Sequence, residues 1–476
     1  MILAIDCGST NHKVALFDGQ LRRLAECARS LTYTMRGAER VEFEPQPLWN
    51  DTVQLILQAC ASARVSSREI RTIAIASQAQ TFTLLDAKEE PLMPFLSWAD
   101  KRARDESAEL TQKLGRAFHR HCSFPTPLPQ LQLSKMLWLT RNLPALPLTF
   151  KVVSVPSFLA LRLAGLHLSD RNLAAMNGLF SLDLNDWWSE AMAACNVERE
   201  HCGEMVEVGK SVAARRHCCE LEFSPELRII LAGNDQTAGA YGNNLRSGGV
   251  VLTLGTALAA YRFAGAGRGP FSPRGCWGPY PGNGFYELLT SDEGCAALDW
   301  AVTQLRPGQE AEFFRAAATS PTGAAMFDPK RLYTAEAWSG ETDVPARARA
   351  VLEAICFSFR EMMEDSGGFN QTQNHAGAQL VPLTVIGGGS ASALWLQILA
   401  NVLNRPLRKG QGDNLLGAAM LAQPDPVPIV ENRGSLIHPQ SELVREYEGD
   451  FRRWQQHRLP AFMNRFLPWP EPRSAV

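Results

Sequence analysis

Leu231-Ala-Gly-Asn-Asp-Gln-Thr-Ala-Gly-Ala-Tyr-Gly242 follows a mostly apolar run, Leu227 to Leu231, that reads as a buried strand. Gly233 and Asn234 break that run, and Gln236 to Tyr241 reads as a helix of small residues. Asp235 therefore falls at a strand-to-helix turn, where an open α/β sheet usually carries its chemistry. A carboxylate there can take a proton from a hydroxyl or hold a metal ion. Taken alone, helix capping explains Asp235 better, because Asp is a favoured N-cap residue.

The flanking sequence changes that balance. At the N-terminus, Ile2 to Ile5 and Val14 to Phe17 read as short strands around the polar turn Asp6-Cys-Gly-Ser-Thr-Asn-His12. Such a turn can offer successive N–H groups and the hydroxyls of Ser9 and Thr10 to a phosphate. Lys13 adds positive charge, and Asp6 at the strand end can hold magnesium through water. One hairpin of this kind is more often just a polar tip. However, Val250 to Leu254, Gly255-Thr256 and Ala257 to Phe263 repeat the same strand, turn, strand order. The repetition points to an internal duplication, with two related domains facing a cleft.

Between the hairpins, Pro45 opens a helix to about Ala63, and Ile70 to Ser77 reads as a strand before Gln78-Ala-Gln80. Phe95-Leu-Ser-Trp-Ala-Asp-Lys-Arg102 then follows the strand Thr81 to Leu85. Trp98 can pack on the C–H face of a sugar, and Asp100 and Arg102 can bind its hydroxyls. A helix start with a solvated charged face fits this segment equally well. Leu131 to Leu139 is amphipathic, and Val152 to Leu163 looks like a buried helix. Trp187 to Cys219 is helical in tone and carries no assignable role. Gly265 to Gly284 reads as a surface loop. Leu383 to Ile386, Gly387-Gly-Gly-Ser390 and a helix from Ala391 to Asn404 form a strand, turn and helix. Three glycines there would let a flat ligand or a phosphate lie against the backbone. The Gly412 to Met420 segment starts a small-residue helix that could pack beside the same site, and Tyr447 to Phe462 reads as a docking helix.

Composition narrows the class. A chain of 476 residues is long for one core and suggests two domains, 1–243 and 244–476. Net charge is -2, so no bulk field favours nucleic acid or an anionic membrane. No apolar stretch approaches membrane-spanning length, and the N-terminus lacks the basic start of a signal peptide. The 11 cysteines follow no framework spacing, which suggests reduced thiols and a cytoplasmic setting. The group Cys195, His201, Cys202, His217, Cys218 and Cys219 has no Cys-x-x-Cys pair, so thiols suit it better than zinc.

Taken in order, these segments resemble the FGGY carbohydrate kinases, and the resemblance spans nearly the whole chain. Asp6 to Lys13 resembles the family's first phosphate motif, Trp98 to Arg102 its sugar-site signature, and Gly233 to Gln236 with Ala238-Gly239-Ala240 its catalytic segment. Leu254-Gly-Thr256 resembles the second phosphate hairpin, and Ile386 to Ser390 with Trp395 the adenosine motif. The layout is most similar to the xylulokinase branch, including Leu84-Leu85-Asp86 and Asp170. Three departures stand out. Gln80 occupies the place of a His that usually sits against the sugar. Ser9 replaces the commoner Thr. The Ser-Gly-Glu-Arg-Thr-Pro loop has only a degenerate counterpart, Trp338 to Asp343.

The resemblance implies two actin-like, ribonuclease H-like α/β ATPase domains, each a mixed sheet with flanking helices, around a central cleft. It implies ATP and Mg2+ as cofactors and transfer of a phosphoryl group to a sugar or polyol hydroxyl, with ketoses such as xylulose or ribulose foremost. Asp235 would be the general base. Asp6 and Asp235 would hold the metal, and Gln80, Trp98, Asp100, Arg102, Asp235 and Gln236 the sugar. Gly8, Ser9, Thr10, Asn11, Lys13, Gly255, Thr256, Gly387, Gly388, Gly389 and Ser390 would hold the nucleotide. A nucleotide-binding regulator that kept the scaffold and lost turnover stays open, and a homodimer is compatible with the tail helix.

Overall fold

A computed structural model describes residues 1–458 except 38, 116, 144–149, 216–217, 219–220, 246–248, 256–257, 267–270, 273–274, 292, 307, 365, 367–368, 370–380 and 424–434. The chain forms two compact units. The first comprises Met1–Asn244, Trp277–Tyr286 and Gly412–Val430; the second comprises Leu245–Cys276, Glu287–Gln411 and Glu431–Val476.

The first unit is built on a six-stranded mixed sheet. Its order is Ser211–Ala213, Arg228–Asn234, Thr72–Ser77, Ile2–Cys7, Asn11–Phe17 and Arg23–Ser30. The Arg228–Asn234, Thr72–Ser77 and Ile2–Cys7 strands run parallel, and the remaining neighbours pair antiparallel. Alternation along the central strands sorts large from small side chains. Leu3, Ile5, Ile73, Ile75, Ile229 and Leu231 share one core with residues of the helices Pro45–Ala63 and Val155–Ala164. On the other face Ala4, Ala74, Ala76 and Ala232 pack with Leu415, Ala418 and Ala419. Alanine on that face lets the helix Asn414–Leu421 lie close to the sheet, and period-2 alternation is what separates the two faces.

The second unit carries the part of the strand Gly284–Ser291 from Glu287 onward and the strands Leu258–Gly265, Val250–Leu254, Leu383–Ile386, Leu407–Lys409 and Leu436–Ile437 in that spatial order. Val250–Leu254 pairs antiparallel with Leu258–Gly265 and parallel with Leu383–Ile386. This repeats the first unit, where Ile2–Cys7 lies between an antiparallel hairpin partner and a parallel strand. Two mixed sheets with flanking helices, as the duplication implied, are therefore what the chain forms. The helix Ser441–His457 docks in this unit through Tyr447, Phe451 and Trp454.

Several elements differ from expectation. The single cut at 243/244 leaves out two later segments that fold with the first unit. One of them falls in the stretch read as a surface loop, where Cys276–Tyr280 is a strand with Trp277 and Tyr280 buried. Lys151–Ser154 is a strand, so the buried helix begins only at Val155. Among its described residues, Trp187 to Cys219 holds short strands, Glu204–Val206 and Ser211–Ala213, beside the short helix Ser189–Ala194 and the 3-10 helix Arg199–His201. Cys195 and Cys202 are free thiols, and Cys218 is buried; His217 and Cys219 lie outside the described residues. Among the described residues no helix is long and apolar enough to cross a membrane.

Candidate active site

Asp235 is the first residue of the helix Asp235–Gly242, and the cap is Asn234, whose side chain accepts from the Thr237 N–H at 2.6 Å. Capping is therefore done by the neighbour, and the Asp235 carboxylate accepts the Gln236 N–H at 2.8 Å on Oδ1. The register shifts between Leu231 and Asn234, and the pairing resumes with Asn234 opposite Ser77. Gly233 has φ +75 there, and a Cβ would come within 2.9 Å of Asn172 Oδ1. Asn172 fixes this turn: its Oδ1 accepts from the Asn234 N–H at 2.9 Å, and its Nδ2 donates to Thr237 Oγ1 at 2.9 Å.

Asp6 lies at the end of its strand, directly opposite Lys13 in register. The hairpin turn is shorter than the sequence suggests. Asn11 and Lys13 belong to the second strand, and only Gly8, Ser9 and Thr10 form the tip. The Gly8 N–H donates to Asn11 O at 3.0 Å, and Thr10 is exposed. Asp6 is only 5% exposed. Its Oδ2 accepts from Asn414 Nδ2 at 3.1 Å, and its Oδ1 is buried without a hydrogen-bond partner among the described residues. Asn414 was not singled out in the sequence. It reaches Asp6 because the helices Asp235–Gly242 and Asn414–Leu421 meet through glycines. A Cβ at Gly417 would collide with the Ala238 carbonyl, and one at Gly242 with the Asp413 carbonyl.

The charge of Asp235 acts on Asp6. Burial raises Asp6 from 3.8 to about 7, the charge of Asp235 pushes the same way, and Asn414 and Lys13 oppose it. Burial raises Asp235 to about 6, against the Gln236 N–H. Like-charged carboxylates resist joint ionisation unless a cation lies near. A buried orphan oxygen on Asp6, facing the charge of Asp235, is the donor set that a hard divalent cation takes. Among the described residues no group of three or more His, Cys, Asp or Glu forms a closed metal cage. Such a cation would take its remaining ligands from water and phosphate, as magnesium commonly does.

On the sugar side, Gln80 is half-buried and carries φ 59, in the left-handed region. Thr81 Oγ1 accepts from the Trp98 N–H at 3.0 Å, so the Gln80 and Trp98 turns are tied together. Trp98 is 44% exposed. Asp100 and Arg102 differ from expectation. Asp100 is fully buried and accepts from the Val41 N–H at 2.8 Å and from Arg102 Nε at 2.9 Å. Arg102 also pairs with Glu42 and lies over the Trp138 ring, 5.1 Å from its centroid. Among the described residues these bonds tie Asp100 and Arg102 to one another and to Val41 and Glu42. The small polar cavity beneath Gln80 is lined by Gln132, Asp170 and Asn177 among others.

In the second unit, Gly387 has φ +91 and packs on the Leu254 backbone, where a Cβ would come within 2.6 Å of its carbonyl oxygen. Gly387 and Gly388 are exposed, and a Cβ at Gly388 would meet nothing within 4 Å. Gly389 and Ser390 are buried instead, and Ser390 Oγ donates to Gly387 O at 2.7 Å. These two shape the turn rather than line its open side. Gly255 is half-buried at the hairpin tip. Thr256 lies outside the described residues.

Comparison with known proteins agrees with this layout. Residues 1–242 match the model of the N-terminal domain of the FGGY family of carbohydrate kinases, and residues 251–423 match its C-terminal domain. A glycerol kinase from Citrifermentans bemidjiense is 26% identical over 456 residues, covering 88% of this chain and 89% of its own. A xylulose kinase from Escherichia coli K12 is 24% identical over 481 residues, covering 95% and 96%. The ligand-bound xylulose kinase structure from Lactobacillus acidophilus superposes with a TM-score of 0.84 at 20% identity, covering 96% of this chain and 97% of that one.

Proposed function

The chain belongs to the FGGY family of carbohydrate kinases, and from that premise we propose that it phosphorylates a hydroxyl of a small sugar or polyol at Asp235. The family is ATP-dependent, so the donor is ATP. Ketoses such as xylulose or ribulose are the foremost acceptors, and polyols follow; similar chains include both xylulose and glycerol kinases. The observation that carries the reading is the paired carboxylates of Asp6 and Asp235, raised to about 7 and about 6, with Gly8 to Thr10 completing the turn after Asp6.

Asp235 accepts the proton of the attacking hydroxyl, whose oxygen forms a bond to the γ-phosphorus while the bond to the β-phosphate oxygen breaks and ADP leaves. A base near 6 is largely ionised at neutral pH yet basic enough to accept that proton. Phosphoryl transfer asks little covalent work of the protein, so positioning and charge neutralisation dominate. Asp6 and Asp235 would hold Mg2+, which supplies charge neutralisation at the phosphates. The tip N–H groups of Gly8 to Thr10 and the Lys13 ammonium would hold phosphate oxygens. Gly255 would contribute a further N–H group, and Gly387 and Gly388 would floor the adenosine. The exposed Trp98 ring would pack on the sugar C–H face, and the Gln80 amide can both donate to and accept from its hydroxyls.

The test is coupled ADP release over ketoses, aldoses, polyols and sugar acids. Turnover that rises with one acceptor supports the reading. Nucleotide binding without acceptor-dependent turnover across the panel would favour the regulator.

A further inference from the structure

A buried amine lies under the two sugar-side turns. Lys135, on the helix Gln132–Asn142, has 0% of its surface exposed. Its Nζ donates to Ser97 O at 2.9 Å, Gln80 O at 3.0 Å and Leu96 O at 3.4 Å. It also lies 5.4 Å from the centroid of the Phe82 ring. An ammonium has three donors and no acceptor, so three carbonyls use its whole capacity. Of the charges acting on it, Asp100 supports the cation and Arg102 opposes it, while burial pushes the amine down to about 7. Leu133, Met136 and Leu137 are its buried neighbours on the same helix. For packing alone, a methionine would fill this slot without the cost of burying a charge, which runs to several kcal/mol per ion.

The bonded carbonyls identify what the cation does. Gln80 O comes from the turn that carries the Gln80 amide, and Ser97 O from the residue before Trp98. Gln80 holds φ 59, a left-handed conformation that is strained for a non-glycine residue and needs an outside tie. The Lys135 bond to its carbonyl is such a tie, and the bond between Thr81 and Trp98 is a second link between the turns. We propose that Lys135 is the positioning residue of sugar recognition: by holding the Gln80 and Ser97 carbonyls on one ammonium, it sets where the Gln80 amide stands relative to the Trp98 ring. The proposal rests on the reading of those two residues as the sugar-binding pair.

Steady-state constants for wild type, Lys135→Met and Lys135→Arg, with the best acceptor of the panel, test it. The Met variant should raise the sugar KM at least ~10-fold with the ATP KM unchanged within ~2-fold, since a misplacement near 1 Å can cost ~10²-fold. The Arg variant, which keeps charge and donors, should fall between. KM does not depend on the amount of active enzyme, so partial misfolding cannot imitate that split. Should Lys135→Met fail to fold, Lys135→Arg and Lys135→Gln are ranked by the same ratio. A sugar KM equal to wild type, or sugar and ATP KM rising in parallel, would overturn the proposal. Gln80→Ala and Trp98→Ala separate the two levels. If they raise the sugar KM and the Lys135 variants do not, only the positioning role fails. If they leave it unchanged, or if wild type phosphorylates no acceptor, the underlying reading fails and the proposal with it.

Discussion

Asp6 and Asp235 make opposite demands on stability and on function. Both titrate above the ordinary 3.8 of an aspartate, at about 7 and about 6. A raised carboxylate binds its proton more tightly folded than unfolded, so its contribution favours the fold at low pH and is lost as pH rises from about 4 to about 7. Each group can contribute up to about 1.4 kcal/mol per pH unit in that window. Asp6→Asn removes this penalty from one group. The melting temperature of the variant minus that of wild type should therefore become more positive from pH 4 to pH 7 without magnesium; a flat difference would contradict the raised pKa of buried Asp6. Magnesium should raise the wild-type melting temperature at pH 7 and raise that of Asp6→Asn much less. For catalysis the sign is reversed. Asp235 must be ionised to accept a proton, so kcat/KM should fall tenfold per pH unit below the Asp235 pKa, which is raised to about 6 by burial without metal and which bound magnesium would lower, read from a pH–rate profile at saturating magnesium.

The helices Asp235–Gly242 and Asn414–Leu421 show what was legible at the level of elements. The first was readable because Gly233 and Asn234 break an apolar run just before a small-residue stretch. The second was readable as a helix but not as a partner, since nothing local in Asn414 points to a carboxylate 408 residues away. Contacts of that separation are set by packing, and here by glycine: a Cβ at Gly417 would meet the Ala238 carbonyl and push the helices apart. Gly417→Ala should lower stability by about 1–3 kcal/mol, the scale of overpacking. It should also weaken activity by moving Asn414 from Asp6, which a melting curve and an activity assay on the same sample would resolve. The partners of Asp100 and Arg102 were illegible for a related reason. Asp100 and Arg102 fit a sugar site by residue type, but only the fold reveals that Val41 and Glu42 already occupy them.

At the scale of the whole molecule, the duplicated strand, turn, strand pattern made two mixed sheets legible, because each hairpin is local and its alternation is strong. The division of the chain was less legible. Trp277–Tyr286 and Gly412–Val430 return to the first unit through side chains that look ordinary for a loop and a helix. Both candidate turns of the first unit, and the exposed glycine turn of the second, lie where the sequence reading expects turns. The supports beneath them, Asn172, Asn414 and Lys135, were not, because buried polar side chains reveal their role only through their partners. The most direct measurement is acceptor-dependent ADP release by wild type and Asp235→Asn, with circular dichroism confirming that both are folded. The expected result is wild-type turnover on one member of the acceptor panel and a loss of at least ~10²-fold in the variant, the lower scale of general-base effects. Near-wild-type turnover by folded Asp235→Asn would contradict the assignment of Asp235 as the base.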